Sequence, residues 1–246
     1  MSILRQISSP GTQLAVLIDP DKVSGKHLEQ LAGYADQGLI DIFLVGGSLL
    51  MKDQLTETVD TLKQSSDIPV VLFPGTPSQT YNGADALLLL SLISGRNADL
   101  LIGRHVEAAP LLRQSGLEIV PTGYILIDGG RSTTVSYISN TTPIPNHKPE
   151  LVVATAIAGE LLGLKALYLE AGSGALHAVP TDVIKAVKSS VNIPVIVGGG
   201  IRTPEQAYAR SQAGADMIVI GTAIEEHSSL TEEIAFAIRE ANSVNR

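Results

Sequence analysis

Short apolar runs rich in valine, isoleucine and leucine recur along the chain at residues 14–19, 40–45, 69–73, 86–92, 118–127, 166–170, 194–197 and 217–220. Runs that are apolar on nearly every residue, rather than on alternate ones, suit parallel strands covered by helices. Helical patterning fills most gaps, at 27–38, 55–65, 98–115, 149–162, 181–189, 204–213 and 231–244. Thr203 followed by Pro204 and Gln206 reads as a capping-box start with proline in the first helical position. Eight strands with crossovers in 246 residues predict one α/β domain spanning 1–246, a (β/α)8 TIM barrel whose active site lies at the C-terminal strand ends. A doubly wound open sheet is the competing architecture.

One crossover is missing. Between Phe73 and Ala86 the chain carries Pro74, Gly75, Pro77 and Gly83, and it is too short and broken for a helix with two loops. The expected fold is therefore a modified barrel whose third helix is lost or replaced by a short irregular segment. A gap there would either admit a long apolar ligand from the side or be covered by a neighbouring subunit.

The bulk properties exclude several classes. A net charge of −8 and a pI near 5.1 supply no basic field for nucleic acid or an anionic membrane. The absence of cysteine removes disulfides, thiolate metal sites and cysteine nucleophiles, and it fits a reducing cytoplasm. No stretch reaches the roughly 18 apolar residues of a spanning helix, and the first residues lack an apolar signal region. The expectation is a cytoplasmic protein without a transmembrane segment.

An anionic ligand must then be held locally, and three glycine-rich segments at successive strand ends offer the means. They are Tyr168-Leu169-Glu170-Ala171-Gly172-Ser173-Gly174, Gly198-Gly199-Gly200-Ile201 and Gly221-Thr222-Ala223. Glycine lets backbone N–H groups approach a phosphate, and a helix starting just afterwards adds its positive pole. Glu170, inside the first segment, is placed to act as a general base toward a substrate hydroxyl or to bind it. Tyr168 shares its side of the strand and reads either as a phosphate or hydroxyl ligand or as a structural tyrosine. At the first strand end, Asp19-Pro20-Asp21 presents hard oxygen ligands suited to magnesium, with Asp19 preferred, although the same sequence also makes an ordinary turn. Ser48, after Gly46 and Gly47 at the second strand end, would share that ion, donate to a phosphate, or cap a helix. The five histidines show no metal-ligand spacing, and surface or capping roles suit them best.

In this order and spacing, Leu-Ile-Asp-Pro-Asp-Lys, Gly-Gly-Ser, Tyr-Leu-Glu-Ala-Gly-Ser-Gly, Val-Gly-Gly-Gly-Ile-Arg and Ile-Gly-Thr-Ala resemble the geranylgeranylglyceryl phosphate synthases, from about residue 10 to residue 230. The Tyr-Leu-Glu segment is the specific part, because triple glycines and Gly-Thr endings occur in many phosphate-binding barrels. The resemblance implies a barrel lacking its third helix and magnesium-dependent transfer of a prenyl group from a prenyl diphosphate to the 3-hydroxyl of sn-glycerol 1-phosphate, in ether phospholipid synthesis. By position it implies Asp19 and Ser48 as magnesium ligands. Tyr168, Leu169, Glu170, Ala171, Gly172, Ser173, Gly174, Gly199, Gly200, Gly221 and Thr222 would bind glycerol phosphate, with Glu170 taking the hydroxyl proton. Leu87, Leu89, Leu100 and Leu101 are candidates for the prenyl channel. Leu17 departs from members that carry lysine two residues before the aspartate, and the pattern is nearer the second subgroup, in which dimers and larger rings both occur, so a homo-oligomer is expected. A C20 donor leads over a longer one such as C35. A phosphosugar isomerase or lyase, and a barrel that binds prenyl phosphate without turnover, are the readings from other classes.

Overall fold

A computed structural model describes residues 2–52, 54–77 and 79–244. Its core is a closed barrel of eight parallel strands in sequence order: β1 Gln13–Ile18, β2 Ile42–Val45, β3 Val70–Leu72, β4 Ala86–Leu92, β5 Glu118–Leu126, β6 Ala166–Glu170, β7 Val195–Gly198 and β8 Met217–Ile220. Pairing of Leu14 with Ile218 and of Val16 with Ile220 closes β1 onto β8. The open-sheet alternative falls with that closure.

Alternation along each strand sorts side chains into two packed layers. Ile42, Leu44, Val71, Leu88, Tyr124, Tyr168 and Met217 fill the barrel interior, whereas Val16, Phe43, Leu72, Leu87, Leu167, Leu169 and Val197 pack outward beneath the helices. Both layers exclude water, which is why the strands read as unbroken apolar runs.

The helices at predicted positions are α2 Gly25–Asp36, α3 Leu55–Ser65, α4 Arg104–Ser115, α6 Pro149–Leu161, α7 Thr181–Lys188, α8 Pro204–Gln212 and α10 Leu230–Val244. Three five-residue helices add to the expected set: α1 Ile3–Ile7, α5 Thr134–Ile138 and α9 Thr222–Glu226. Helix α1 stoppers the N-terminal mouth of the barrel, burying Ile3 and Ile7. The Glu118 carboxylate holds it there, accepting from Ser2 Oγ at 2.7 Å and from the N–H groups of Ile3 at 2.7 Å and Leu4 at 3.0 Å. With that end sealed, the open bowl lies at the C-terminal ends of the strands. The α8 start is half a capping box: Thr203 Oγ1 accepts the Gln206 N–H, but the Gln206 side chain turns to Arg202 N instead of Thr203.

Among the described residues, the β3–β4 connection contains no helix, as the prolines and glycines predict. Side chains pin it down in place of a packed helix. Buried Gln79 accepts from Gly75 N at 2.9 Å and donates to Gly47 O at 3.0 Å, while the Tyr81 hydroxyl donates to Asp60 at 2.8 Å. The next crossover begins irregularly, with a π-helical turn at Asp99–Gly103 leading into α4. Among the described residues, no helix is long and apolar enough to cross a membrane.

Candidate active site

The barrel mouth holds a cavity of about 140 Å³. Its wall includes Asp19 from β1, Ser48 from β2, Tyr168 and Glu170 from β6, Ser173 and Gly174 beyond β6, Gly199 and Gly200 beyond β7, and Gly221 and Thr222 beyond β8. Ser173 Oγ and Thr222 Oγ1 share a hydrogen bond at 3.2 Å, drawing the β6 and β8 loops together.

Not every residue of the Tyr-Leu-Glu segment faces this bowl. Leu169 points outward into the layer beneath the helices, within a strand paired on both sides, and does not line the bowl. Ala171 N–H donates to Gly198 O, and Gly172 N–H donates to Glu170 Oε1 at 2.6 Å, so both amides are already committed. Nor does each glycine segment run straight into a helix: only the β8 end does, through the short α9.

The glycines around Glu170 have a second reason to be small. A Cβ on Gly198 would fall on the Tyr168 ring, 2.9 Å from Cζ. Gly199, at φ +79°, would place a Cβ on Glu170 Oε1 and 2.6 Å from Gly172 N. These two positions leave room for the buried tyrosine and glutamate before any ligand arrives.

Glu170 is 5% exposed. Burial pushes its pKa up to about 7, against the opposing pull of the Gly172 N–H and then the Tyr168 and Tyr124 phenols. The same burial, followed by the charge of Glu170, raises both phenols well above their usual range, so each remains a protonated donor. The Tyr168 hydroxyl is wholly buried beside Glu170 without completing a hydrogen bond of normal geometry. A buried donor left unpaired is costly in an empty site and becomes useful when a ligand oxygen accepts from it. Tyr168→Phe is expected to leave thermal stability unchanged or slightly higher, while sn-glycerol 1-phosphate binding, measured calorimetrically, weakens by about five- to twentyfold.

The Asp-Pro-Asp pair divides its work. Asp21 is tied to the β2–α3 loop, accepting from the N–H groups of Met51 and Lys52. Asp19 faces the bowl, accepting from Asp21 N–H at 3.1 Å and pairing with Lys22 Nζ at 2.8 Å. A Cβ on Gly47, the neighbour of Ser48, would lie 3.9 Å from the Asp19 carboxylate, so the first two strand ends do meet here. Among the described residues no group of three or more histidines or carboxylates could hold a metal. Magnesium does not require one, since it takes one or two carboxylates and completes its shell with water and substrate phosphate; a carboxylate and a serine lining the same bowl fit that donor set.

A second cavity, of about 220 Å³, adjoins the bowl and runs outward between β4 and α4, across the missing helix. The two share Gly47, Ser48, Phe73, Tyr124 and Val135, and the outer part is lined by Leu87, Leu89, Leu90, Leu92 and Leu100. Leu101, expected beside Leu100, does not line it. At the junction Phe73, Tyr124 and Tyr168 cluster, with ring centroids 5.1 Å apart for Phe73–Tyr168 and 5.3 Å for Tyr124–Tyr168. His105 is not a surface residue: it lines this groove with Nε2 2.9 Å from Ser91 Oγ, and burial lowers its pKa, which favours the neutral ring.

Sequence reasoning passed over four residues here. Phe73 and Tyr124 fall inside predicted strands, Lys22 stands in the first-strand motif without a role, and Glu225 lies outside every predicted element. Glu225 in fact lines the bowl on α9 with its carboxyl pKa raised by burial against the pull of Lys22.

Comparisons with known proteins agree with this geometry. The PcrB family model matches residues 11–242. Geranylgeranylglyceryl phosphate synthases from Chitinophaga pinensis and Spirosoma linguale are 54% and 51% identical, over 94% and 98% of this chain and 91% and 98% of their own. The solved (S)-3-O-geranylgeranylglyceryl phosphate synthase of Thermoplasma acidophilum, in complex with its substrate sn-glycerol-1-phosphate, superimposes with a TM-score of 0.91 at 33% identity, covering 98% of this chain and 99% of that one. A thiamine phosphate pyrophosphorylase from Pyrococcus furiosus, 15% identical with a TM-score of 0.61, shares the fold alone. With motifs, closed barrel and near full-length matches in agreement, the chain belongs to the PcrB family of geranylgeranylglyceryl phosphate synthases and is an enzyme of the prenyltransferase class.

Proposed function

We propose that the protein transfers a prenyl group, geranylgeranyl in first place, from its diphosphate to the 3-hydroxyl of sn-glycerol 1-phosphate, with magnesium, as a cytoplasmic homo-oligomer. The observation that carries this reading is the shared lining of the two cavities. A bowl with a buried carboxylate shares a wall with a leucine-lined groove, so a small phosphate acceptor and a long apolar donor would meet where the two adjoin.

The glycerol phosphate lies in the bowl, its phosphate against the β7 and β8 loops around Gly200, Gly221 and Thr222, with the Tyr168 hydroxyl available to one of its oxygens. The 3-hydroxyl faces Glu170. As the bond between the allylic carbon and the diphosphate oxygen breaks, the glycerol oxygen bonds to that carbon and its proton passes to the Glu170 carboxylate. A carboxyl with a pKa of about 7 is ionised in half the molecules at neutral pH and is a far better base than an ordinary glutamate. Asp19 and Ser48 would hold the magnesium ion, which neutralises charge on the departing diphosphate. Phe73, Tyr124 and Tyr168 present ring faces and edges at the mouth of the groove, where an allylic carbon with cationic character gains from aromatic neighbours and from the exclusion of water.

The test is a transfer assay with radiolabelled sn-glycerol 1-phosphate, offered C15, C20 and C35 prenyl diphosphates in parallel, with sn-glycerol 3-phosphate as control. The expected result is a magnesium-dependent ether product, formed fastest with the C20 donor and not from the 3-phosphate enantiomer. A C35 preference would keep the reaction and change the donor. No product from any donor, with glycerol phosphate bound, would overturn the reading.

A further inference from the structure

Building on the magnesium-dependent reading above, we propose that Lys22 is a place-holder cation on Asp19: a divalent metal displaces its ammonium, which then holds the diphosphate of the prenyl donor. In the protein alone Lys22 Nζ sits 2.8 Å from Asp19 Oδ2, so the carboxylate that would take a metal already carries a cation. The charges around it require one. Glu225 stands close enough to both Asp19 and Lys22 to act on their charges, and Asp21 adds a third carboxylate to the field at Lys22.

A divalent ion on Asp19 reverses that logic, because Lys22 then becomes a like charge beside the metal. The lysine can leave at little cost. Its side chain is 57% exposed on a flexible stem. It also lines two spaces at once, the bowl and a cavity of about 190 Å³ behind β1, so turning does not require the wall to repack. Asp19, at 20% exposure, is the fixed partner.

The released ammonium has a natural destination. The donor brings a diphosphate to the metal, and an alkylammonium is a strong point-charge partner for phosphate. Among the described residues the cations lining the bowl are Lys22 and Arg202. Arg202 is committed through Nη2 to Ala175 O at 2.6 Å, which leaves Lys22 as the mobile one.

The experiment reads binding rather than turnover. Mn²⁺ affinity is measured by electron paramagnetic resonance, and Mn²⁺-dependent binding of inorganic diphosphate by calorimetry, for the parent protein and the Lys22→Met, Lys22→Arg, Lys26→Met and Asp19→Asn variants. Lys22→Met is expected to bind Mn²⁺ alone about two- to fivefold more tightly, the effect a half-exposed ion pair supports. It should bind diphosphate with Mn²⁺ roughly tenfold more weakly. Lys22→Arg should restore most of the diphosphate binding. Lys26→Met, which removes the same charge from the exposed first turn of α2, should change neither quantity by more than about twofold. A merely structural lysine would move both affinities the same way or not at all, and either result overturns the place-holder. If Asp19→Asn abolishes Mn²⁺ binding while Lys22→Met leaves it unchanged, the metal reading stands and the lysine proposal falls. If Asp19→Asn leaves Mn²⁺ affinity intact, both fall together.

Discussion

Glu170→Gln is expected to lower kcat by at least about a hundredfold while affinity for sn-glycerol 1-phosphate stays within roughly tenfold of the parent. The substitution is nearly isosteric, and the new side-chain oxygen can still accept the Gly172 N–H that now binds Oε1 at 2.6 Å. What it removes is the capacity to take a proton. A loss confined to kcat marks a group used in the chemical step, whereas an equal loss in binding would mean that Glu170 only holds the hydroxyl. Unchanged turnover would remove it from the mechanism.

The same substitution has a second signature with the opposite sign. Glu170 titrates near 7 in the folded chain against an ordinary 4.5, because folding strips water from the carboxylate. Below pH 4.5 the group is protonated in both states, and the fold keeps its full stability. Between these values the unfolded chain ionises first, so stability falls as pH rises, and above 7 the loss is complete at about 3 kcal/mol. Because an amide does not ionise, Glu170→Gln should be more stable than the parent at pH 8 by up to about 3 kcal/mol, with the gain shrinking toward pH 4, as measured by urea unfolding at both values. Turnover of the parent should rise with pH through about 7 as the base ionises. The active carboxylate is thus maintained against the stability of the fold.

The barrel was legible in the sequence because its strands are buried on both faces and therefore advertise themselves without a break. Val70–Leu72, only three residues long, was still visible as part of an apolar run ending at Phe73. Helices of five residues were not, since Ile3–Ile7 offers barely one turn of periodicity and is held by Glu118, 115 residues away from Ile3. The bowl was legible through its glycines, yet local pattern could not tell which glycines face a ligand and which make room for protein. Gly199 is explained by Glu170 on a neighbouring strand, a contact visible only once β6 and β7 pair. Aromatic residues in strands carry no mark separating filler from function, so Tyr124 and Phe73 emerged only when the groove placed them at its mouth. Lys22 was passed over because its meaning depends on its ammonium folding back onto the Asp19 carboxylate.

Gly199→Ala and Gly221→Ala should therefore part company, although both alter the same cradle. At Gly199 an added methyl meets a left-handed φ of +79°, the Glu170 carboxylate, and two backbone nitrogens at 2.6 and 2.9 Å that belong to the β6 turn and cannot swing aside as a side chain would. Left-handed strain and overpacking of rigid atoms together cost roughly 3 kcal/mol, and a shift of about 1 Å at Glu170 costs turnover on the order of a hundredfold. At Gly221 the nearest atom to a new Cβ is Leu17 O at 3.4 Å, so the fold should lose less than it does at Gly199. The methyl would instead stand in the bowl that Gly221 lines, where the phosphate is to approach the backbone, and glycerol phosphate binding should weaken by about tenfold or more. Thermal unfolding beside calorimetric binding for the two variants separates these outcomes. If Gly221→Ala bound glycerol phosphate like the parent, the β8 end would have no part in holding the phosphate. If Gly199→Ala were as stable as the parent, the β6 turn would be free to yield, and the rigidity assigned to the Glu170 site would be lost with it.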